Sequence, residues 1–326
     1  MRARAAAATV VLLMALSVSG GRAQGEPAIA HDYADVNGVR LHYARAGAGP
    51  LMVFVHGFPE FWYEWKHQIA EFGRDHLAVA PDLRGYNLSS KPTSLDDYRM
   101  PKLVEDLHAL VGGILKSTGQ TKFTLVAHDW GGVVAWVFAA QYPDLLDKLV
   151  IVNAPHPTIF GRLLREDPDQ QKASQYMLMF RSPEAEATLS KNDYAWLKAA
   201  VLGAGLRDGT VTEQDQKEYV AAWSQPGALT GGLNYYRAAA IGPPPTSGSV
   251  PSQEAAPSAD APLMVRVPTL VIWGEKDTAL LTGNLTGLDQ VVPALTIKRI
   301  PGGTHWVVRE NAPEVNRIIR EYLAQP

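Results

Sequence analysis

The apolar run Phe123-Thr124-Leu125-Val126 leads straight into Ala127-His128-Asp129-Trp130-Gly131-Gly132, and a helix-compatible stretch, Val133 to Tyr142, follows. A buried strand that turns this sharply into a helix needs small residues where the two pack closely. Ala127, Gly131 and Gly132 supply them. The junction predicts a strand, a tight turn and a helix, with Asp129 held out at the apex. A serine there would suggest acyl transfer to a hydroxyl. A carboxylate instead attacks carbon directly and becomes an ester of the protein.

The rest of the chain supplies a frame for that unit. Val39 to Arg45 alternates and reads as a strand. Leu51 to Val55, His76 to Ala80, Lys148 to Val152, Thr269 to Trp273 and Leu295 to Ile300 are short apolar runs suited to buried strands. Helical patterns lie between them at Phe61 to Phe72, Met100 to Ser117 and Pro313 to Leu323. Strands alternating with helices predict an α/β fold, a mostly parallel sheet flanked by helices. The alternation stops between about Pro155 and Pro262. That segment is helix-like and carries Tyr176, Tyr194, Trp196, Tyr219, Trp223, Tyr235 and Tyr236, so it reads as a helical cap inserted between two strands. Its end, Gly242 to Pro262, is rich in Pro, Ser, Ala and Gly and reads as a linker.

The start of the chain reads as an export signal. Arg2 and Arg4 precede the apolar run Ala5 to Val18, and Gly21-Arg22-Ala23 offers small residues for cleavage. The run is short for a membrane span. The expected organisation is a signal peptide over 1–23, the first core part over 24–155, the cap over 156–262 with its linker at 242–262, and the second core part over 263–326. Losing 1–23 removes three arginines and no acid, taking the formal charge from −3 to −6. That balance gives no reason to expect nucleic acid as a partner, nor a membrane once the signal is cleaved. With no cysteine in its 326 residues the chain forms no disulfide. Its destination reads as periplasmic or secreted.

Three further pieces accompany Asp129. His56-Gly57-Phe58-Pro59 follows Leu51 to Val55, and a glycine turn at a strand end can aim backbone N–H groups at a developing oxyanion. The expected donors are Phe58 and Trp130. Asp277, in Trp273-Gly274-Glu275-Lys276-Asp277, can orient a histidine and balance its charge; Glu275 competes with it, whereas Asn153 carries no charge and is no rival. His305, in Gly302-Gly303-Thr304-His305-Trp306, completes the order nucleophile, acid, histidine. His128 is expected to be a buried packing residue whose side chain points away from the nucleophile. His156 is expected to begin the cap.

His56-Gly57-Phe58-Pro59-Glu60 with Trp62-Tyr63-Glu64-Trp65, Asp82-Leu83-Arg84-Gly85-Tyr86 with Ser89-Ser90-Lys91-Pro92, and His128-Asp129-Trp130-Gly131-Gly132 together resemble the epoxide hydrolase branch of the α/β-hydrolase family. The resemblance runs from about residue 33 onward, apart from the linker. It implies an α/β-hydrolase core with an inserted helical cap, and the roles of nucleophile, charge-relay acid and base for Asp129, Asp277 and His305. It also implies two cap tyrosines that donate hydrogen bonds to the epoxide oxygen, Tyr176 and Tyr236, with Tyr235 competing for the second place. The implied reaction opens a small apolar epoxide with water to a vicinal diol and uses no cofactor or metal. Two rivals remain at this point. Haloalkane dehalogenases resemble the same Asp-His-Asp arrangement, and an exported ligand-binding protein could keep the fold without turnover.

Overall fold

Strand formation follows the apolar runs. The computed structural model describes residues 27–244 and 262–325. The expected signal segment, and residues 245–261 of the expected linker, lie outside the described residues. Eight strands form one sheet: β1 (Ala30–Val36), β2 (Val39–Ala46), β3 (Leu51–Val55), β4 (Leu77–Pro81), β5 (Phe123–His128), β6 (Leu146–Val152), β7 (Thr269–Gly274) and β8 (Leu295–Ile300). Their spatial order is β1-β2-β4-β3-β5-β6-β7-β8. From β4 to β8 every neighbour is parallel; only β1–β2 and β2–β4 are antiparallel.

The central strands β3, β5 and β7 are buried at every position, because helices cover both faces. On one face Phe54, Val126, Val152 and Ile272 pack against Trp65 and Ile69 and against Val315 and Ile319. The helices there are α1 (Lys66–Phe72) and, at the end of the chain, Ala312–Leu323. On the other face Val53, Leu125, Ala127 and Ile151 meet Leu107 and Val111 of α2 (Met100–Thr118) and Val134 and Phe138 of α3 (Asp129–Gln141). The cap follows β6 as α4 (Pro157–Glu166), α5 (Pro168–Ala173), α6 (Tyr176–Arg181), α7 (Ala185–Leu197), α8 (Gly203–Asp208), α9 (Glu213–Trp223) and α10 (Ala228–Ala239). The chain then returns to β7, and α11 (Val307–Glu310) and α12 (Ala312–Leu323) close the fold.

Three local expectations are corrected. The edge strand β1 has no counterpart in the sequence reading, since its Ala-His-Asp-Tyr-Ala-Asp-Val pattern is mostly exposed. The helix expected from Val133 begins at Asp129, because the turn needs only one residue. The expected Phe61–Phe72 helix is a 3-10 turn, Trp62–Trp65, running into α1.

Cap and core are joined by polar contacts. The Trp223 indole N–H donates to the Pro59 carbonyl at 2.7 Å, and the Tyr63 hydroxyl to Asp215 at 2.8 Å. Gly231 of α10 lies so close to Gly85 that an added Cβ would fall 2.3 Å from the Gly85 oxygen. The loop after β4 is held by Arg84, buried and paired with both oxygens of Asp106 at 2.5 and 2.6 Å.

Candidate active site

The carboxyl ends of β3, β5, β7 and β8 converge on one point. Asp129 takes a φ of 48° at the turn, a left-handed conformation that is uncommon for a residue bearing a Cβ and is stabilised only where its surroundings enforce it. Two glycines permit that turn. A Cβ on Gly131 would lie 2.4 Å from the carbonyl oxygens of Val55 and His56, and one on Gly57 would lie 2.2 Å from Asp129 Oδ1. With both positions empty, the Phe58 N–H donates to Asp129 Oδ1 at 2.7 Å. Trp130 is the second residue of α3, where a backbone N–H has no partner inside the helix.

The turn carrying Phe58 is fixed by His56. Its Nδ1 lies 2.8 Å from the Gly57 carbonyl, and its Nε2 accepts from the Leu83 N–H at 3.0 Å. The accepting Nε2 leaves the proton on Nδ1. Burial pushes this imidazole down to about 4, so it stays neutral. The Phe58–Pro59 peptide is cis.

Asp277 and His305 stand beside Asp129. His305 Nδ1 is 2.7 Å from Asp277 Oδ2, and its Nε2 is 3.7 Å from Asp129 Oδ2. The other oxygen of Asp277 accepts from the Ala279 and Leu280 N–H groups at 2.8 and 2.9 Å. The buried carboxyl resists ionisation, but the cationic His305 and these donors hold it below the usual carboxylate range. Burial alone would lower His305; the Asp277 carboxylate, then Asp129, lift it to about 9. Glu275 is not part of the site and pairs with Arg299 at 3.0 Å.

Tyr176 and Tyr236 line the cavity above Asp129, about 210 Å³ in volume, together with Phe58, Phe180, Trp196 and Trp306. Burial, then the nearby Asp129 charge, raises both phenols well above their ordinary value, so they are protonated donors. Tyr235 points elsewhere, its hydroxyl donating to the Arg84 carbonyl at 3.0 Å.

Sequence reasoning missed several contributors. Asn153, dismissed as an acid, donates from Nδ2 to Asp277 Oδ2 at 2.8 Å and accepts from the Gly274 N–H at 2.7 Å. The signal was its place after β6, next to β7. His128 is buried as expected, and its ring lies on the α1 side of the sheet, but it does more than pack. Its Nε2 meets the His305 carbonyl at 2.9 Å and its Nδ1 faces Glu64. Glu60, hydrogen-bonded by Tyr219, pairs with Arg309 at 2.9 Å beneath the cap. His156 precedes α4 and packs its ring edge-on to Trp136.

A carboxylate at a strand-to-helix turn, beside a histidine–carboxylate pair and under a helical cap, is the arrangement of a hydrolase of the α/β type. A family model described as alpha/beta hydrolase fold matches residues 50–312. Epoxide hydrolase 3 of Xenopus tropicalis is 38% identical over 297 residues, covering 89% of this chain and 76% of its own. The AB hydrolase superfamily protein YfhM of Bacillus subtilis is also 38% identical, covering 89% of this chain and 96% of its own. The crystal structure of a Bacillus megaterium epoxide hydrolase with an inhibitor superposes with a TM-score of 0.81 at 36% identity, over 90% of this chain and all of that one. The chain belongs to the α/β-hydrolase fold family, in its epoxide hydrolase branch.

Proposed function

We propose that the protein hydrolyses an epoxide to a vicinal diol in two steps, through a covalent ester on Asp129. The observation that carries this reading is the meeting of Asp129, His305 and two protonated tyrosines in one apolar cavity. In the first step an Asp129 oxygen forms a bond to a ring carbon. The carbon–oxygen bond of the strained ring breaks, and its electron pair goes to the epoxide oxygen, which takes a proton from Tyr176 or Tyr236. Esterification removes the Asp129 charge that helps keep His305 protonated, and the proton the ring gives up restores the tyrosinate to tyrosine. In the second step neutral His305, oriented by Asp277, takes a proton from water. Hydroxide attacks the Asp129 carbonyl while the N–H groups of Phe58 and Trp130 hold the oxyanion. One such donor contributes about 2.7–4 kcal/mol in comparable sites. The diol leaves, and His305, carrying the proton taken from water, again stands cationic beside the ionised Asp129.

A single turnover in ¹⁸O-water tests this. The label should enter Asp129 in the first turnover and reach diol only in later ones. Label in first-turnover diol means direct attack by water and defeats the ester scheme. A panel of styrene oxide-type epoxides and 1-bromoalkanes tests the substrate class; halide release without diol formation would make the enzyme a dehalogenase. Export through residues 1–23 belongs to the same proposal, and an exported fraction still carrying its first residues would defeat it.

A further inference from the structure

Glu64 lies at the base of the catalytic site, and the mechanism above gives it no part. Its carboxyl is buried on the 3-10 turn before α1, with Oε1 against Nδ1 of His128. Nε2 of His128 is 2.9 Å from the carbonyl of His305. That carbonyl only accepts, so Nε2 carries the hydrogen. A neutral His128 then presents a lone pair at Nδ1, and a carboxylate oxygen facing it would add a second. Two lone pairs this close repel, and a proton shared between the two atoms would remove the repulsion. Among the described residues neither Nδ1 of His128, close as Oε1 of Glu64 stands to it, nor Oε2 of Glu64 makes a hydrogen bond.

We propose that Glu64 is a positioning residue of the hydrolytic site: as a neutral carboxylic acid it donates to Nδ1 of His128, which fixes that ring's Nε2–H on the backbone carbonyl of His305. Charged groups face Glu64 from each neighbouring segment: Asp129 at the start of α3, His305 after β8, Arg309 on α11, and Glu60 after β3. Burial dominates over them and pushes Glu64 up to about 8, while burial, then His305, pushes His128 down to about 4. The proton therefore stays on Glu64 at neutral pH. The neutral form has a second consequence. An ionised Glu64 would place another negative charge beside Asp129 and hold His305 in its cationic form, which cannot take a proton from water.

The protonation state is tested without substrate. An infrared difference spectrum of wild type minus Glu64→Gln at pH 7 should contain a carboxylic-acid carbonyl band that shifts in D₂O. Its absence would mean an ionised Glu64 and overturn the proposal, whether or not epoxides are substrates. The kinetic part rests on the proposed hydrolysis. Glu64→Leu leaves Nδ1 of His128 without a donor, and kcat should fall about tenfold. KM should fall with it, because kcat/KM reports ester formation while His305 governs ester hydrolysis. Glu64→Gln supplies an N–H donor and should recover most of the loss. The wild-type decline in kcat near pH 8 should be missing from Glu64→Gln. A Leu variant with wild-type kcat, or one whose kcat falls at constant KM, overturns the positioning role; so does a Gln variant as impaired as Leu. A protein inactive on all epoxides would refute the proposed function and leave the infrared result standing.

Discussion

Replacing His305 with glutamine separates the two chemical steps. The cationic ring sits 3.7 Å from Asp129 in the resting enzyme. At an effective dielectric of about 20 the gross attraction is roughly 4 kcal/mol, before desolvation is subtracted. The wild type gives up that attraction when esterification neutralises Asp129, and the glutamine variant has none to give up. Ester formation in His305→Gln should therefore be no slower than in wild type. Ester hydrolysis loses its general base and should slow by about 10²–10⁴-fold. Rapid mixing with excess epoxide, followed by intact mass spectrometry, should show the protein heavier by one substrate mass, with the adduct on the peptide containing Asp129. The adduct should persist longer than in wild type by the same factor as kcat falls. A variant that turns over at the wild-type rate, or one that neither turns over nor accumulates adduct, would refute the assignment of His305 to the second step alone.

The tyrosine pair predicts a different signature. Tyr176→Phe and Tyr236→Phe should each lower kcat/KM for an epoxide by about ten- to a hundredfold, whereas Tyr235→Phe, whose hydroxyl serves Arg84, should alter Tm more than rate; the reverse pattern would exchange the two neighbours' roles. Asn153→Leu removes a donor from Asp277 and strands the buried Gly274 N–H, so urea denaturation should report a loss of about 1–3 kcal/mol, with kcat falling as His305 loses its fixed partner; wild-type values for both would defeat the account. Stability should peak near pH 6.5. His56, His128 and His156, held near 4 by burial, resist protonation in the folded state, so stability is lost as pH falls from 6.5 toward 4. Glu64, raised to about 8, and His305, raised to about 9, hold protons that the unfolded chain has released, so stability is lost as pH rises through those values. A Tm that is constant from pH 4 to 9 would contradict these shifts.

The meeting of Asp129, Asp277 and His305 was legible because each stands just past an apolar run, and strand ends are where a parallel sheet exposes side chains. Tyr176 and Tyr236 came from the resemblance; which of two adjacent tyrosines faces the cavity depends on the rotation of α10, which spacing alone does not give. Asn153 was weighed only as a possible charge, so its part as a donor to Asp277 went unread. Glu64 and His128 were hidden for another reason. The partnership joins a short turn after β3 to the end of β5, and its meaning depends on which ring nitrogen carries hydrogen. Such information exists only once the His305 loop is seen to bring its backbone carbonyl over the ring. The edge strand β1 was missed because a strand paired on one side and open to water on the other carries little apolar pattern.

The cap leaves the core after β6 and rejoins it before β7, two strands that lie side by side. The segment between them can therefore lengthen, shorten or be exchanged without moving the strand register that brings Asp129, Asp277 and His305 together. Asp129 and His305 belong to the scaffold, whereas Tyr176 and Tyr236 travel with the cap. Grafting a different cap between these two strands would change which electrophile is accepted while leaving the enzyme's means of freeing itself intact.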